Sequence, residues 1–290
     1  MLQTMERDAD TSVVSADLIE QYQEDGAICL RGVIDLNWIE RLREATERVL
    51  NNHAQAMNKT GATGNFAGDI DMWLRDECFR TFALQGPSWG LAKALMKANS
   101  IRLFADQLFV KEPGTSTPTP WHQDLPYWPL LGDQICSIWV PMDYVSKESS
   151  GLEYVRGSHR WNRRFKPQAI GDADLSWLAQ AGDEDIPDID AHRDRHEFLS
   201  WDMEPGDCLI HHSMAVHGAG GNRSQSTRRR AVATRWLGED ARFRPMHFYT
   251  PELTGLAPGE SILHSKKLFP PVPLPAGWQL PEDYWPPTAP

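Results

Sequence analysis

Two histidines and an aspartate are spaced so that they can serve one metal ion. His122 and Asp124 lie in Trp121-His122-Gln123-Asp124, and His217 heads the run His217-Gly218-Ala219-Gly220. In a strand, residues two apart point to the same side, so His122 and Asp124 would offer an imidazole and a carboxylate together. A third ligand at His217 would complete two histidines and one carboxylate on one face of an octahedral ion. Such a set favours non-haem Fe(II) and leaves positions open for a cosubstrate and oxygen, whereas a structural zinc is usually enclosed by four protein ligands. His212 would crowd the open positions as a fourth ligand and is read as a packing or hydrogen-bonding residue. His159 is read as a loop stabiliser.

These residues need strands to hold them. The chain has 290 residues, 41% of them hydrophobic and 24% charged, with 21 glycines and 21 prolines. That composition fits short strands and shaped loops, within one domain spanning 1–290: mainly β, with flanking helices. Ser15 can cap a helix from 16 to about 25 that Gly26 ends, before a strand at 27–30. A second helix runs from 35 or 36 to 50, with Trp38, Ile39, Leu42, Ala45 and Val49 at helical spacing. A shaped connection follows at 57–69, and a third helix at 88–98. From residue 100 the pattern is that of strands, at 101–111, 121–124, 134–140 and 151–155. Pro205-Gly206-Asp207 turns into a strand at 208–212. A further short strand or turn carries His217, and 228–236 returns after Gly218, Gly220 and Gly221.

Outside this framework, 171–194 is acidic and irregular, a surface insertion able to cover a substrate entrance. The segment 269–290 is proline-rich, with Trp278, Tyr284 and Trp285 as anchors of a tail laid over the domain. Leu125-Pro126-Tyr127-Trp128-Pro129-Leu130 follows the metal pair and is the candidate substrate wall, since aromatic rings pack a compact substrate with little motion. Phe66, Trp73 and Phe104 are further candidates for that wall.

Composition excludes several functions. A formal charge of −11, from 29 basic and 40 acidic residues, argues against nucleic-acid binding, and strand alternation would split Arg228-Arg229-Arg230 between two faces. The four cysteines form no Cys-x-x-Cys pair, which points to a reduced, cytoplasmic protein. The first ten residues lack an apolar signal core, and no stretch is apolar enough to cross a bilayer. The expected partner is a small-molecule substrate, with no nucleic acid and no membrane, and the chain is expected to be a monomer or homodimer.

Several motifs occur in a fixed order: Asp25-Gly26, Arg31-Gly32-Val33, Lys111-Glu112-Pro113-Gly114, Trp121-His122-Gln123-Asp124, Gly157-Ser158-His159, Pro205-Gly206-Asp207, His217-Gly218-Ala219-Gly220 and Asn222-Arg223-Ser224. In that order they resemble the phytanoyl-CoA dioxygenase family of Fe(II)- and 2-oxoglutarate-dependent oxygenases, over nearly the whole chain. The resemblance implies a double-stranded β-helix (jelly-roll, cupin-like) core. It implies iron held by His122, Asp124 and His217, with 2-oxoglutarate and molecular oxygen as cosubstrates.

An arginine is expected to hold the far carboxylate of 2-oxoglutarate by paired hydrogen bonds. Alternation leaves Arg228 and Arg230 competing on one face, with Arg229 pointing away. The family's arginine follows the distal histidine by eleven residues, which selects Arg228. The resemblance also puts Trp139 and Gln107 in the cosubstrate cavity, and regular strand geometry turns Gln123 away from the metal. The implied reaction is hydroxylation of an unactivated carbon of a small metabolite. The same cofactors could instead give desaturation, cyclisation or epimerisation, and an inactive jelly-roll binding protein is the opposing class. Ala219 stands where some relatives carry a serine, Arg156 where proline is commoner, and Glu153 in a stretch usually more apolar. The carboxylate of Asp124 occupies the position a halide would need, which favours oxygenation over halogenation.

Overall fold

In the computed structural model, which describes residues 12–52, 54–178, 182–247, 249–265, 268–275 and 278, the longer helices lie in the first hundred residues, interleaved with three short strands, and most strands follow. Helix α1 (Ala16–Asp25) is capped by Ser15, whose Oγ accepts from Leu18 N at 3.2 Å. It stops at Gly26, whose φ of 80° is left-handed and suits glycine. A side chain at Gly26 would also collide with the His159 ring. Helix α2 (Leu36–Asn52) buries Ile39, Leu42, Ala45 and Val49 on one face. Two more helices follow, α3 (Glu77–Gln85) and α4 (Ser88–Leu95). Helix α3 is absent from the sequence expectation, although Asp76 caps it by accepting from Cys78 N and Phe79 N.

The strands in chain order are β1 (Ala27–Leu30), β2 (Gln55–Ala56), β3 (Phe66–Ile70), β4 (Arg102–Lys111), β5 (Thr119–His122), β6 (Leu130–Leu131) and β7 (Ile135–Pro141). They continue with β8 (Leu152–Val155), β9 (Phe198–Ser200), β10 (Cys208–His212), β11 (His217–Ala219), β12 (Arg229–Leu237) and β13 (Arg242–Phe243). Seven form one sheet in the order β1-β10-β7-β12-β4-β3-β2, and four form a second, β5-β11-β8-β9. Every pairing within both sheets is antiparallel. With helices flanking the larger sheet, this is a jelly roll. Two strands, β2 and β3, occupy what the sequence suggests is a connection.

Alternation sorts the large sheet into two faces. Cys136, Ile138, Val140, Cys208, Ile210, Val232 and Trp236 pack with the helices in the main core. Trp139, Leu209, Ala231 and Ala233 turn the other way and pack with Tyr154 of the small sheet. The small residue at 233 leaves room between the sheets, and that room is part of the cavity.

The motifs distant from the metal prove to be pairs in space. Asp207 accepts from Gly32 N at 2.9 Å and from Arg31 at 2.7 Å, joining Arg31-Gly32 to Pro205-Gly206-Asp207. Arg156 reaches Asp25 at 2.6 Å, and Gly157 N donates to Asp25 O at 2.8 Å. Lys111 donates to Gly220 O at 2.9 Å, while Asn222 donates to Lys111 O at 3.0 Å. The departures at Arg156 and Glu153 also have local partners, since Glu153 accepts from Lys147 and Arg193.

The start of the C-terminal segment lies along β4, where Arg102 donates to Phe269 O and Val272 N to Ile101 O. Tyr284 and Trp285 lie outside the described residues. Among its described residues the acidic stretch carries short 3-10 turns and a bridge from Glu184 to Phe165. No helix among the described residues is long and apolar enough to cross a membrane.

Candidate metal centre

His122 ends β5 and His217 opens β11, and the two are directly paired across the strands. Their rings lie 4.2 Å apart between centroids. Asp124 joins them by a route other than strand alternation. β5 stops at His122, and Asp124 is helical (φ −72°, ψ −45°) at the head of a 3-10 turn, Leu125–Tyr127. One ligand atom from each residue lies within 4.8 Å of the others, all three buried.

The atoms facing one another are the ones a metal needs. His122 Nδ1 is 2.8 Å from Pro120 O, and His217 Nδ1 is 2.9 Å from Ala215 O. A carbonyl only accepts, so each Nδ1 carries a proton and each ring turns its Nε2 toward the shared site. Those Nε2 atoms stand 3.5 and 3.9 Å from Asp124 Oδ1, too long for hydrogen bonds and suited to ligands of a shared ion. Burial lowers the His217 imidazole well below its ordinary value, helped by His122 and His211. Burial alone would raise the Asp124 carboxyl, but polar contacts from His122 and His211 outweigh it and hold the group well below the carboxylate range. Neutral imidazoles and an ionised carboxylate are the protonation states that metal ligation requires, so the donor set fits Fe(II).

Two residues outside the sequence expectation orient the aspartate. Ser137 Oγ donates to Asp124 Oδ2 at 2.7 Å, and His211 Nε2 donates to the same oxygen at 3.1 Å. Tyr154 OH lies 3.0 Å from His211 Nδ1, so the hydroxyl donates and fixes the tautomer. Oδ1 is thereby left for the metal. The signal for both residues was available: Ser137 shares a face with Trp139, and His211 is its cross-strand partner.

A cavity of about 670 Å³ opens between the sheets around these ligands. Trp139 and Gln107 line it, as do Tyr127, Trp128 and Phe104. Phe66 and Trp73 do not; they are buried elsewhere. Gln123 is buried and ties loops together, donating to Arg163 O and Met214 O and accepting from Phe165 N. His212 accepts from Met214 N, and His159 lies against Gln23 O. Part of the acidic segment, Asp172 to Leu175, forms one wall, and Asp172 accepts from Thr60 N at 2.6 Å.

Arg228, expected at the cosubstrate, does not line the cavity. Arg228 and Arg230 do share a face, but it is the helix side: Arg228 pairs with Glu47 and Glu112, and Arg230 with Asp143 and Glu47. Arg229 points into the cavity. It is 3% exposed, its Nε has no partner, and its guanidinium lies 5.8 Å from the Trp139 ring centroid. Burial pushes it down to about 10, so it remains a cation at neutral pH. Thr119 lines the same end of the cavity and lies across from Ala219. Lys111 Nζ approaches its Oγ at 3.3 Å; Lys111 can only donate, which leaves the Thr119 hydroxyl proton free to point elsewhere.

Similarity to known proteins follows the same lines. The profile of the family described as "Phytanoyl-CoA dioxygenase (PhyH)" matches residues 22–231. A probable phytanoyl-CoA dioxygenase of Caenorhabditis elegans is 29% identical over 42% of this chain and 36% of its own length, so that match spans well under half of the relative. The peroxisomal phytanoyl-CoA dioxygenase of Rattus norvegicus is 22% identical over 81% of this chain and 71% of its own. Among solved structures, the non-haem α-ketoglutarate-dependent carbocyclase SnoK from nogalamycin biosynthesis superposes with a TM-score of 0.70 at 24% identity, covering 90% of this chain and 97% of that one.

Proposed function

Because this chain belongs to the phytanoyl-CoA dioxygenase family, we propose that it is an Fe(II)- and 2-oxoglutarate-dependent dioxygenase that hydroxylates an unactivated carbon of a small-molecule metabolite. The observation that carries this is the open donor set: His122 Nε2, His217 Nε2 and Asp124 Oδ1 face one cavity, and the remaining polar atom of each ligand is tied back. When bound, iron and 2-oxoglutarate supply oxygen-dependent hydrogen abstraction, with release of succinate and carbon dioxide. The chain's own work is placement, water exclusion and charge.

Arg229 is assigned to the distal carboxylate of 2-oxoglutarate. It lies at the base of β12 on the cavity face and brings an unpaired Nε. Thr119 supplies the hydroxyl that Ala219 lacks. Trp139 and Gln107 flank the carbon chain between Arg229 and the metal ligands. Tyr127 and Trp128, immediately after Asp124, form the substrate wall. Tyr127 is fixed there by donating to Gln168 O at 2.6 Å and by an edge contact with the His122 ring.

Anaerobic titration tests this without a substrate. Protein given Fe(II) and then 2-oxoglutarate should develop the visible charge-transfer band of a chelated α-keto acid, at about one iron per chain. His217→Ala should show no band. A band of full intensity in His217→Ala would overturn the ligand assignment.

A further inference from the structure

The cavity face of β12 carries a second buried arginine that neither the metal nor 2-oxoglutarate uses. Arg235 is 5% exposed and lines the cavity. Its Nη2 donates to Gln107 Oε1, but Nε and Nη1 are buried with no hydrogen-bond partner. No described carboxylate makes an ion pair with it. Asp71, Asp106 and Asp124 lie near enough to be felt as charges. Asp124 is committed to the metal, Ser137 and His211, while burial pushes Asp71 up to about 7 and holds Asp106 well above the ordinary carboxylate value. Leaving a guanidinium in such a place with most of its donors unspent is costly unless something else satisfies it.

Sheet register says where that something would sit. His211, Ser137 and Arg235 form one row across β10, β7 and β12. Leu209, Trp139, Ala233 and Gln107 form the next row toward Arg229. Arg235 therefore shares a row with the two residues that hold Asp124, whereas Arg229 lies six residues away at the other end of the strand. At about 3.4 Å per residue, that separates the two Cα atoms by roughly 20 Å. A five-carbon diacid anchored on Arg229 extends toward the metal ligands, and Arg235 stands one row past Gln107 from that anchor. Around Arg235 the walls are aromatic: its guanidinium stands 5.2 Å from the Trp128 ring centroid, and Trp128 meets Phe104 edge-on at 5.3 Å.

We propose that Arg235 binds a carboxylate of the substrate, so that the enzyme acts on a compact carboxylic acid whose apolar body packs on Trp128, Phe104 and Tyr249. The proposal rests on the assignment of Arg229 to 2-oxoglutarate, and its test separates the two. Wild-type protein loaded anaerobically with Fe(II) is first titrated calorimetrically with 2-oxoglutarate, alongside Arg229→Gln, Arg235→Gln and Arg235→Lys. The loaded proteins are then titrated with benzoate, 3-phenylpropionate and octanoate, each against its primary amide. Melting curves confirm that the variants are folded.

At least one acid should bind wild type about tenfold or more tightly than its amide, as a charge-assisted pair implies. Arg235→Gln should erase that preference, Arg235→Lys should keep part of it, and both should hold 2-oxoglutarate within about twofold of wild type. Equal binding of acids and amides by wild type, or no binding of either, would overturn the proposal while leaving Arg229 intact. So would a loss of 2-oxoglutarate affinity in Arg235→Gln matching that in Arg229→Gln, since Arg235 would then be the cosubstrate anchor. Failure of wild type to bind 2-oxoglutarate at all would instead remove the functional assignment on which the proposal stands.

Discussion

Asp124 divides its two carboxylate oxygens between tasks, and the division depends on Ser137 and His211. Replacing His211 with Phe keeps the ring but removes the donor to Oδ2. Iron affinity should fall about 10- to 100-fold, the usual effect of removing a partner that orients a ligand, while the melting temperature without metal changes little. Competition titration against a chelator reads the first, and an unchanged iron affinity would show that Ser137 alone holds the carboxylate. Arg229 belongs at this scale too. Arg229→Ala should weaken 2-oxoglutarate binding by about 2–4 kcal/mol, roughly thirty- to several-hundred-fold, and Arg228→Ala should change it little. The reverse order in calorimetry would restore Arg228. Alternation predicts correctly that Arg228 and Arg230 share a face opposite Arg229. Which face meets the cavity depends on Glu47 of α2 and Glu112 waiting on the other side, and no local pattern encodes that.

At the scale of elements, much of the framework is legible because caps and turns are local chemistry. Ser15 and Gly26 fall where the sequence suggests, whereas the tight reversal expected at Gly218, Gly220 and Gly221 is instead the end of β11 followed by an irregular loop at 220–228. Helix α3 shows what is lost when a cap is overlooked: Asp76 precedes Cys78, Phe79, Phe82 and Ala83, which are all buried at helical spacing. The strand expected at 121–124 fails at its last two residues, because the chain leaves β5 after His122 and Asp124 heads a 3-10 helix, and the ligands converge by that turn. The motifs away from the metal hold elements together, as Asp207 does for the start of β1's exit loop.

His212 sits in one such junction, its ring 5.1 Å from that of His159. Burial, and then His159, push its imidazole down to about 4, whereas an unfolded histidine titrates near 6.5. As pH falls through that interval the unfolded chain takes up a proton that the folded one refuses, so stability present above about 6.5 is lost toward 4. His212→Asn should therefore lose less stability than wild type between about pH 7.5 and 5, by on the order of 1–2 kcal/mol. Denaturant melts at the two pH values, both at saturating metal, would detect this; parallel losses would show that His212 is protonated in the fold.

For the whole molecule, the two sheets make a chamber with the metal ligands between an arginine at each end and aromatic rings along one side. Carboxylates line part of this chamber too, Asp69, Asp172 and Asp174 among them, and it is the lining that decides what enters. Substrate identity was illegible in the sequence because the lining comes from both sheets, the turn after Asp124 and the segment at 170–175, which meet only on folding. With its substrate under oxygen-18 gas, the enzyme should give one succinate per cycle and a product carrying at least some labelled oxygen, with no chlorinated product in the presence of chloride. A product short of two hydrogens would move the assignment to desaturation, and a chlorinated one would overturn the role given to the Asp124 carboxylate.

Placing Arg229 and Arg235 on the same face of one strand makes β12 a ruler. Arg235 is paired on both sides, with Ala105 and Ser137, and Arg229 on one, with Lys111, so the sheet holds both marks in place. On the proposed binding mode, the carbon that reacts would be selected by counting from an acid group along the substrate, much as a jig sets where a drill falls. Moving the upper mark by two residues along the strand would shift the substrate by about 7 Å, more than the length of several carbon–carbon bonds. Regiochemistry in this protein would then be changed by re-marking the strand, with the metal ligands untouched.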